Sequence, residues 1–255
     1  MSRPSDSARA PSGHSDLPGV AAVNRALSVV AAFDGQLQPL TLADLAERTH
    51  LYKSTLLRLI ASLEAFGYLV RLSDGRYQLG PTPFRLGLTY QRASGLADVV
   101  TPVMRDLVGR GSESASFHVP YDEERRLCTV RIDSNHSTLD TVSAGALLPL
   151  ARGAAGTVIG AFTGWRGERF DRIRKSYFAI SYGERDPECA GVACPVFDSQ
   201  GKLVGALSLS GPKVRFTKPA IERMTTLLFD AVIQLSTALG GDAQPLRDAK
   251  SRARP

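Results

Sequence analysis

The segment between residues 41 and 80 carries the clearest hydrophobic pattern of the chain. Its apolar residues recur at i, i+3, i+4 and i+7, which predicts one buried helical stripe: Leu56, Leu59, Ile60 and Leu63. Ser54 and Arg58 fall near the middle of the opposite face, and Lys53 and Thr55 flank them at the helix start. A basic, hydroxyl-bearing outer face on a helix held by a small apolar core is typical of a major-groove reader. The pattern therefore predicts DNA binding.

Two helices are predicted before this one. The first covers residues 20–33 and places three apolar residues on one face: Val23, Leu27 and Val30. The second begins at Thr41, which forms a weak capping box with Asp44, because both side chains offer acceptors to the free amides of the first turn. Three short helices in this order predict a helix-turn-helix domain.

A hairpin is predicted directly after the third helix. Residues 68–72 and 76–79 are rich in β-forming side chains, and Ser73-Asp74-Gly75 joins them. Asp-Gly between such runs indicates a tight turn, since Gly tolerates positive φ. A hairpin here is the wing of a winged helix-turn-helix, with Arg71 and Arg76 placed to contact phosphates. The alternative is a three-helix satellite domain with a solvated basic face.

The pattern changes beyond Gly95 to that of an antiparallel sheet with flanking helices. Helices are predicted at residues 96–110, 153–162 and 218–239. Strands are predicted at residues 116–119, 127–132, 192–197 and 203–210. Residues 122–126 are interpreted as a polar connection between the first two strands. The fold class is therefore α+β.

Composition narrows the class of protein. The 255 residues are 43% hydrophobic and 22% charged, as in ordinary globular proteins, and no apolar run approaches the ~18 residues that span a bilayer. Residues 1–18 are rich in Ser, Pro and Gly without an apolar core, which predicts a disordered tail and not a secretory signal. Three cysteines fit a reducing cytoplasm, and a net charge of +6 mildly favours an anionic partner.

Several runs resemble the IclR family of bacterial transcriptional regulators. The runs that resemble its N-terminal domain are VNRALSVVAAFDG, PLTLADLAERTHLYKSTLLRLIASLEAFGYLVR and GRYQLGPTPFRLGL. The runs that resemble its effector-binding domain are LLPLARGAAGTVIGAF and CPVFDSQGKLVGALSLSGPKVRFTKPAIERM. Both sets stand in family order and together cover most of residues 20–240.

The resemblance implies a domain layout and a set of partners. Its regions are a winged helix-turn-helix at 19–80, a linker helix at 81–95 and a GAF-like effector-binding domain at 96–240. The composition of residues 241–255 predicts a disordered basic tail. The implied partners are double-stranded operator DNA, a small-molecule effector and a second copy of the chain, in a homodimer or a dimer of dimers. We expect a cytoplasmic, nucleoid-associated protein with no membrane contact and no cofactor.

The resemblance also implies which residues meet DNA. The major groove would be contacted by the outer face of the second helix of the motif, through Lys53, Ser54, Thr55 and Arg58. Leu57 stands where the family often has His, so base preference differs here, and its side chain is suited to a thymine methyl. Arg71 and Arg76 would contact backbone phosphates from the wing.

Two features predict an effector pocket in the second domain. Ser208 and Ser210 share one strand face about 7 Å apart, and the matching family serines line the pocket. Gly153, Ala154 and Ala155 open a helix whose free amides suit an anion; in the family this turn contacts a carboxylate, with Leu148 as an apolar wall. The alternatives are serines bonded to neighbouring carbonyls and small residues chosen for close packing.

The chain departs from the family around this turn. Ala151-Arg152-Gly153 replaces the usual His-Ala-Thr/Ser, Ser181 stands where many members are acidic, and Gly191 stands where many have Cys. The segment after Phe162 is also shorter than the usual helical stretch. These differences leave the individual ligand open. An organic or aromatic acid is the expected class, and Arg152 is a candidate for its positive partner.

Catalytic and metal chemistry have little support. His118 and His136 have no neighbouring sequence that marks a nucleophile, and His118, Cys189 and Cys194 make only three scattered zinc-ligand candidates, where a structural site needs four. We expect neither an enzyme nor a metal site. The alternative to effector control is a DNA-binding regulator whose second domain only oligomerises.

Overall fold

The computed structural model describes residues 18–253, without the side chain of Ser94, and divides into two compact units between Ala93 and Ser94. The predicted tail at 1–18 lies outside the described residues except for Pro18. Over residues 18–253, no helix is long and apolar enough to cross a membrane. The predicted α+β fold class is confirmed.

The first unit is a winged helix-turn-helix followed by one more helix. Its elements are α1 (Ala21–Ala31), α2 (Leu42–Thr49), α3 (Lys53–Ala65), β1 (Leu69–Arg71), β2 (Tyr77–Leu79) and α4 (Pro81–Ser94). β1 and β2 pair antiparallel with Arg71 opposite Tyr77. The core consists of Val29, Phe33, Leu40, Leu45, Leu56, Ile60, Leu63, Leu69 and Tyr77. The buried stripe predicted for α3 is therefore present.

Local interactions define the start and end of the central helices. The Asp44 amide donates to Thr41 Oγ1 at 3.1 Å, and the Thr41 amide donates to Asp44 Oδ2 at 2.8 Å, so the capping box is complete. His50 ends α2 in the left-handed conformation, with φ of 55°. Gly67, with φ of 70°, follows α3 and turns the chain into β1.

The apolar face predicted for α1 is buried only in part. Val30 is half-buried against the core, whereas Val23 and Leu27 are exposed. The residues of this segment that are buried are Val29, fully, and Phe33, nearly so. Apolar residues occur on more than one side of this alanine-rich helix, and periodicity alone did not separate them. Packing of α1 on α3 decides which side is buried.

The second unit is a six-stranded antiparallel sheet with helices on both faces, in the strand order β5-β4-β3-β8-β7-β6. The strands are β3 (Ser114–Pro120), β4 (Arg125–Ile132), β5 (Leu147–Pro149), β6 (Ala179–Tyr182), β7 (Cys189–Phe197) and β8 (Leu203–Pro212). The helices are α5 (Leu96–Gly109), α6 (Ala154–Phe162), α7 (Glu168–Ser176), α8 (Lys218–Ala238) and α9 (Gln244–Arg252).

The two faces of β8 belong to different cores. Leu207 and Leu209 are buried in the larger core, with residues of α5 and α8. Ala206 joins the smaller core formed with α6 and α7. This alternation leaves Ser208 on the α6 side of the sheet, as the strand period predicts.

Two parts of the second unit differ from the prediction. The segment at 122–126 is not only a connection, because β4 already begins at Arg125 and the Arg126 side chain is buried. The tail at 241–255, predicted to be disordered, contains α9 instead. Leu246 and Ala249, three residues apart, are buried in the large core, and Lys250 pairs with Asp230 of α8. These few contacts dock a helix that its polar composition concealed.

Candidate functional site

The first candidate site is the outer side of α3. Leu56 and Ile60 anchor the helix in the core. Four side chains point away from that core and are exposed, and we call them the α3 face: Lys53, Ser54, Leu57 and Arg58. Thr55, also predicted to contact DNA, is half-buried. Tyr52, just before the helix, is 85% exposed and was not singled out from the sequence.

The wing places its two arginines in different surroundings. Arg76 donates from Nε to Asp74 Oδ2 at 2.8 Å, and its backbone amide donates to Asp74 Oδ1 at 3.0 Å. These bonds from Arg76 lower the pKa of the Asp74 carboxyl. Arg71 instead lies over the Tyr77 ring, with Cζ 5.8 Å from the ring centroid. In the described part of the chain no carboxylate pairs with Arg71, so it is the freer cation.

The second candidate site is a cavity at the start of α6, which we call the α6 cavity. Its volume is about 50 Å³, more than the ~10–15 Å³ that one water needs. Residues of β3, β4, β6, β7, β8 and two loops complete its wall: His118, Arg126, Asp140, Val142, Gly153, Ala154, Ala155, Ser181, Glu184, Arg185, Asp186, Cys189, Ala190, Gly191, Ser208, Leu209 and Ser210.

The structure brings five of the seven predicted effector residues to this cavity: Gly153, Ala154, Ala155, Ser208 and Ser210. It does not bring Leu148 or Arg152 there. The Arg152 side chain is exposed, and only its backbone carbonyl faces inward, where it accepts a bond from Arg126. The positive charge of the cavity therefore comes from other arginines.

The two serines already have protein partners. Ser208 Oγ donates to the Ser116 carbonyl at 3.3 Å. Ser210 Oγ accepts from Arg131 Nη1 at 3.5 Å. The alternative considered for these serines, a bond to a neighbouring carbonyl, is thus observed for Ser208.

The amides at the start of α6 are also occupied. The Gly153 amide donates to Glu184 Oε2 at 2.9 Å, and the Ala154 amide donates to Ser181 Oγ at 2.9 Å. Gly156 is required by close packing, because a Cβ there would overlap the Leu150 carbonyl oxygen and lie 2.6 Å from Arg126 Nη1. In this turn, the Gly153 amide already binds a carboxylate of the protein, whereas Gly156 is required by close packing.

Arg126 is a buried cation in the wall of the α6 cavity. Only 3% of its surface is exposed, and Nη1 donates to the carbonyls of Pro149 and Arg152. Burial, with a contribution from Arg185, lowers its pKa to about 10, so it stays charged at neutral pH. Among residues 18–253 it has no carboxylate partner, and its Nε has no hydrogen-bond partner.

Two further polar groups share the wall. Asp140 is buried, with Oδ1 2.6 Å from Arg131 Nη2 and Oδ2 4.0 Å from Arg185 Nη2. His118 is kept neutral because burial, with repulsion from Arg126 and other arginines, lowers its pKa well below the usual value. Within the described chain, His118 Nδ1 and Asp140 Oδ2 lack hydrogen-bond partners. Polar atoms left unsatisfied in a cavity are free to bind a polar ligand.

The residues considered for zinc do not assemble into a metal site. His118 and Cys189 both line the α6 cavity, whereas Cys194 is fully buried on β7. Within residues 18–253, no three His, Cys, Asp or Glu side chains are grouped so that they could hold a metal ion.

Comparisons with known proteins relate both units to the same family. Residues 22–73 match the IclR helix-turn-helix domain, and residues 167–237 match the C-terminal domain of the bacterial transcriptional regulator IclR. The HTH-type transcriptional regulator BhcR of Paracoccus denitrificans is 29% identical over 94% of each chain. The chain belongs to the IclR family. It is therefore a DNA-binding transcriptional regulator, and its curated relatives carry names of regulators.

Solved IclR structures share the fold. A regulator from Alicyclobacillus acidocaldarius superposes with a TM-score of 0.75 at 21% identity, over 88% of this chain and 100% of that one. An IclR homologue from Microbacterium hydrocarbonoxydans, crystallised with 4-hydroxybenzoate, gives a TM-score of 0.73 at 20% identity, over 86% and 98%. At such identities the likeness concerns the fold alone.

Proposed function

We propose that this IclR-family regulator binds operator DNA through the α3 face and the wing, and that a small organic acid in the α6 cavity changes its affinity for that DNA. Two copies, in a dimer or a dimer of dimers, would present two α3 helices to two half-sites, so the operator is roughly palindromic. Control is then a coupling free energy, since a ligand that prefers one arrangement of the copies shifts DNA affinity by its differential binding.

The observation that carries the effector part of this proposal is Arg126. A buried cation without a counter-charge is costly, and an anionic ligand in the cavity would offset that cost. The unsatisfied His118 Nδ1 and Asp140 Oδ2 offer further polar contacts. The 4-hydroxybenzoate complex of the Microbacterium homologue supports an acid as the ligand class.

The test is DNA binding with and without acids. Fluorescence anisotropy would measure the affinity of the full chain for promoter DNA beside its own gene, against a scrambled duplex of equal length. We expect specific binding that one or more organic acids shift by about 5- to 150-fold, the usual range of allosteric coupling. Specific binding that no acid alters would contradict effector control.

The second candidate function is a regulator whose second unit only oligomerises. It is favoured by the occupied amides at the start of α6, where Glu184 and Ser181 already satisfy the donors that a ligand would use. A thermal-shift screen separates the two functions. Stabilisation by an acid supports the effector, whereas no shift from any acid, together with cooperative DNA binding that follows self-association of the chain, supports oligomerisation alone.

A further inference from the structure

A carboxylate of the protein itself occupies the start of α6. Glu184, in the loop after β6, accepts from the Gly153 amide through Oε2 at 2.9 Å. Its other oxygen, Oε1, accepts from Arg169 Nη2 of α7 at 2.6 Å. The Glu184 side chain is 29% exposed, so solvent reaches it. An internal anion thus sits where the free amides of a helix start attract negative charge.

Arg126 lies against the same turn from the buried side. Its Nη2 is 3.5 Å from the position that a Cβ would take at Gly153. Nevertheless Glu184 pairs with Arg169, and no ion pair joins Glu184 to Arg126 in the described chain. On one side of the turn, the partly exposed Glu184 carboxylate is paired with Arg169. On the other side, the buried Arg126 guanidinium has no carboxylate partner among the described residues.

We propose that the acid group of the effector binds between Arg126 and the start of α6 by displacing the Glu184 carboxylate. Arg126 anchors the ligand, and Glu184 is its internal competitor. The inference rests on the proposed effector function and adds the two residues that set affinity. No Phe, Tyr or Trp side chain occurs among the cavity residues, and the volume is about 50 Å³, so the favoured ligand class is a short aliphatic carboxylate.

The proposal requires opposite effects from two substitutions. Glu184→Gln keeps the shape but removes the competing charge, so acid binding should tighten by about three- to tenfold, the difference between charged and neutral hydrogen bonds. Arg126→Gln removes the anchor, and binding should weaken by about 10- to 100-fold. Glu188→Gln is the matched control, because this exposed carboxylate lies four residues from Glu184 and outside the cavity.

Isothermal titration calorimetry on the full chain would measure these affinities with lactate, succinate and 4-hydroxybenzoate. Lactamide serves as the uncharged counterpart of lactate and should bind none of the proteins. Glu188→Gln should match the wild type. If Arg126→Gln does not fold, Arg169→Gln gives a second test: releasing Glu184 from α7 should tighten acid binding by about two- to threefold.

The outcomes separate this inference from the proposed function. If an acid binds the wild type and Glu184→Gln leaves its affinity unchanged, displacement is wrong while effector binding stands. If a folded Arg126→Gln binds as well as the wild type, the anchor is wrong. If neither the wild type nor Glu184→Gln binds any of the acids, the effector function falls and this inference falls with it. Tighter binding by 4-hydroxybenzoate than by lactate or succinate would overturn the aliphatic class.

Discussion

The α3 face and the α6 cavity are built in opposite ways. The α3 face comes from four residues within one short stretch of a single helix, positions 53–58, and its polar side chains are exposed, as hydropathy suggests. The α6 cavity gathers residues between His118 and Ser210 from five strands, one helix and two loops, and two of its charged side chains, Arg126 and Asp140, are buried. One site follows the usual rule that polar residues face water, and the other departs from it.

A hydropathy pattern does not reveal a charged side chain that is buried. A charged residue in a sequence is interpreted as solvated, so Arg126 was assigned to a polar connection. The structure instead places it on β4, pointing into the second unit. Departures of this kind are expected at functional sites, where a protein accepts a local cost for a binding property.

The largest effect is expected from Gly156→Ala, which tests whether the cavity depends on non-local packing. The new Cβ would overlap the Leu150 carbonyl and press on Arg126. We expect a loss of about 3 kcal/mol in the free energy of unfolding, at the upper end for overpacking. Gly109→Ala, at the end of α5 with open space around it, is the control and should be nearly neutral. Urea unfolding measures both, and equal stabilities would contradict the tight turn.

A smaller effect is expected from Arg58→Ala, which tests whether the α3 face is a local site. Loss of a base contact should cost about 1–3 kcal/mol of operator affinity and relax preference at one base pair. Arg25→Ala removes the same charge from exposed α1 and serves as control. Anisotropy titrations would measure both. If the two variants bind operator equally well, the α3 face is not the reader.

Thr41→Ala tests how much its N-terminal cap stabilises α2, the helix that precedes α3. The Thr41 hydroxyl accepts from the Asp44 amide and completes the capping box of α2. Its loss should lower the free energy of unfolding of the first unit by about 1 kcal/mol. Thermal unfolding followed by circular dichroism would measure the change, with Thr41→Ser as the variant that keeps the cap. A stable Thr41→Ala protein would mean that core packing alone positions α2.

The smallest effect is expected from the wing, where the two arginines can be ranked. Arg71→Ala should weaken DNA binding at all sequences and reduce the salt slope by about 1, as for a phosphate contact. Arg76→Ala should do less, because Asp74 already engages its guanidinium. In an Asp74→Asn background, Arg76 is released, and Arg76→Ala should then cost about as much as Arg71→Ala. Anisotropy at several salt concentrations checks all three, and a larger loss from Arg76→Ala would show that the pair opens on DNA.

The first unit was largely predictable because its determinants are local. The apolar stripe of α3, the Asp74-Gly75 turn and the Thr41–Asp44 cap each act within a few residues, and all are present. Most strands of the second unit were predicted for the same reason, although the predicted strands are shorter than the observed ones. The short β6, with the sequence AISY, was not predicted, because four residues give too little alternation.

The remaining features depend on tertiary packing. The buried side of α1 is chosen by α3, and α9 is held by Leu246 and Ala249 against the large core, which no nearby pattern reveals. The cavity residues Gly153, Ala154, Ala155, Ser208 and Ser210 came from family resemblance. Glu184 and Arg126 did not, since nothing in their neighbouring sequence shows that they meet the same turn of α6.

The edge strands of the six-stranded sheet bear on the tendency of the protein to aggregate. An open strand edge is a template on which another chain can add a strand and begin to aggregate. Here the long strands β3, β4, β7 and β8 lie inside the sheet, whereas the edges are β5, with three residues, and β6, with four. Pro149 further removes one amide donor from β5. The sheet thus offers little edge on which another chain could add a strand.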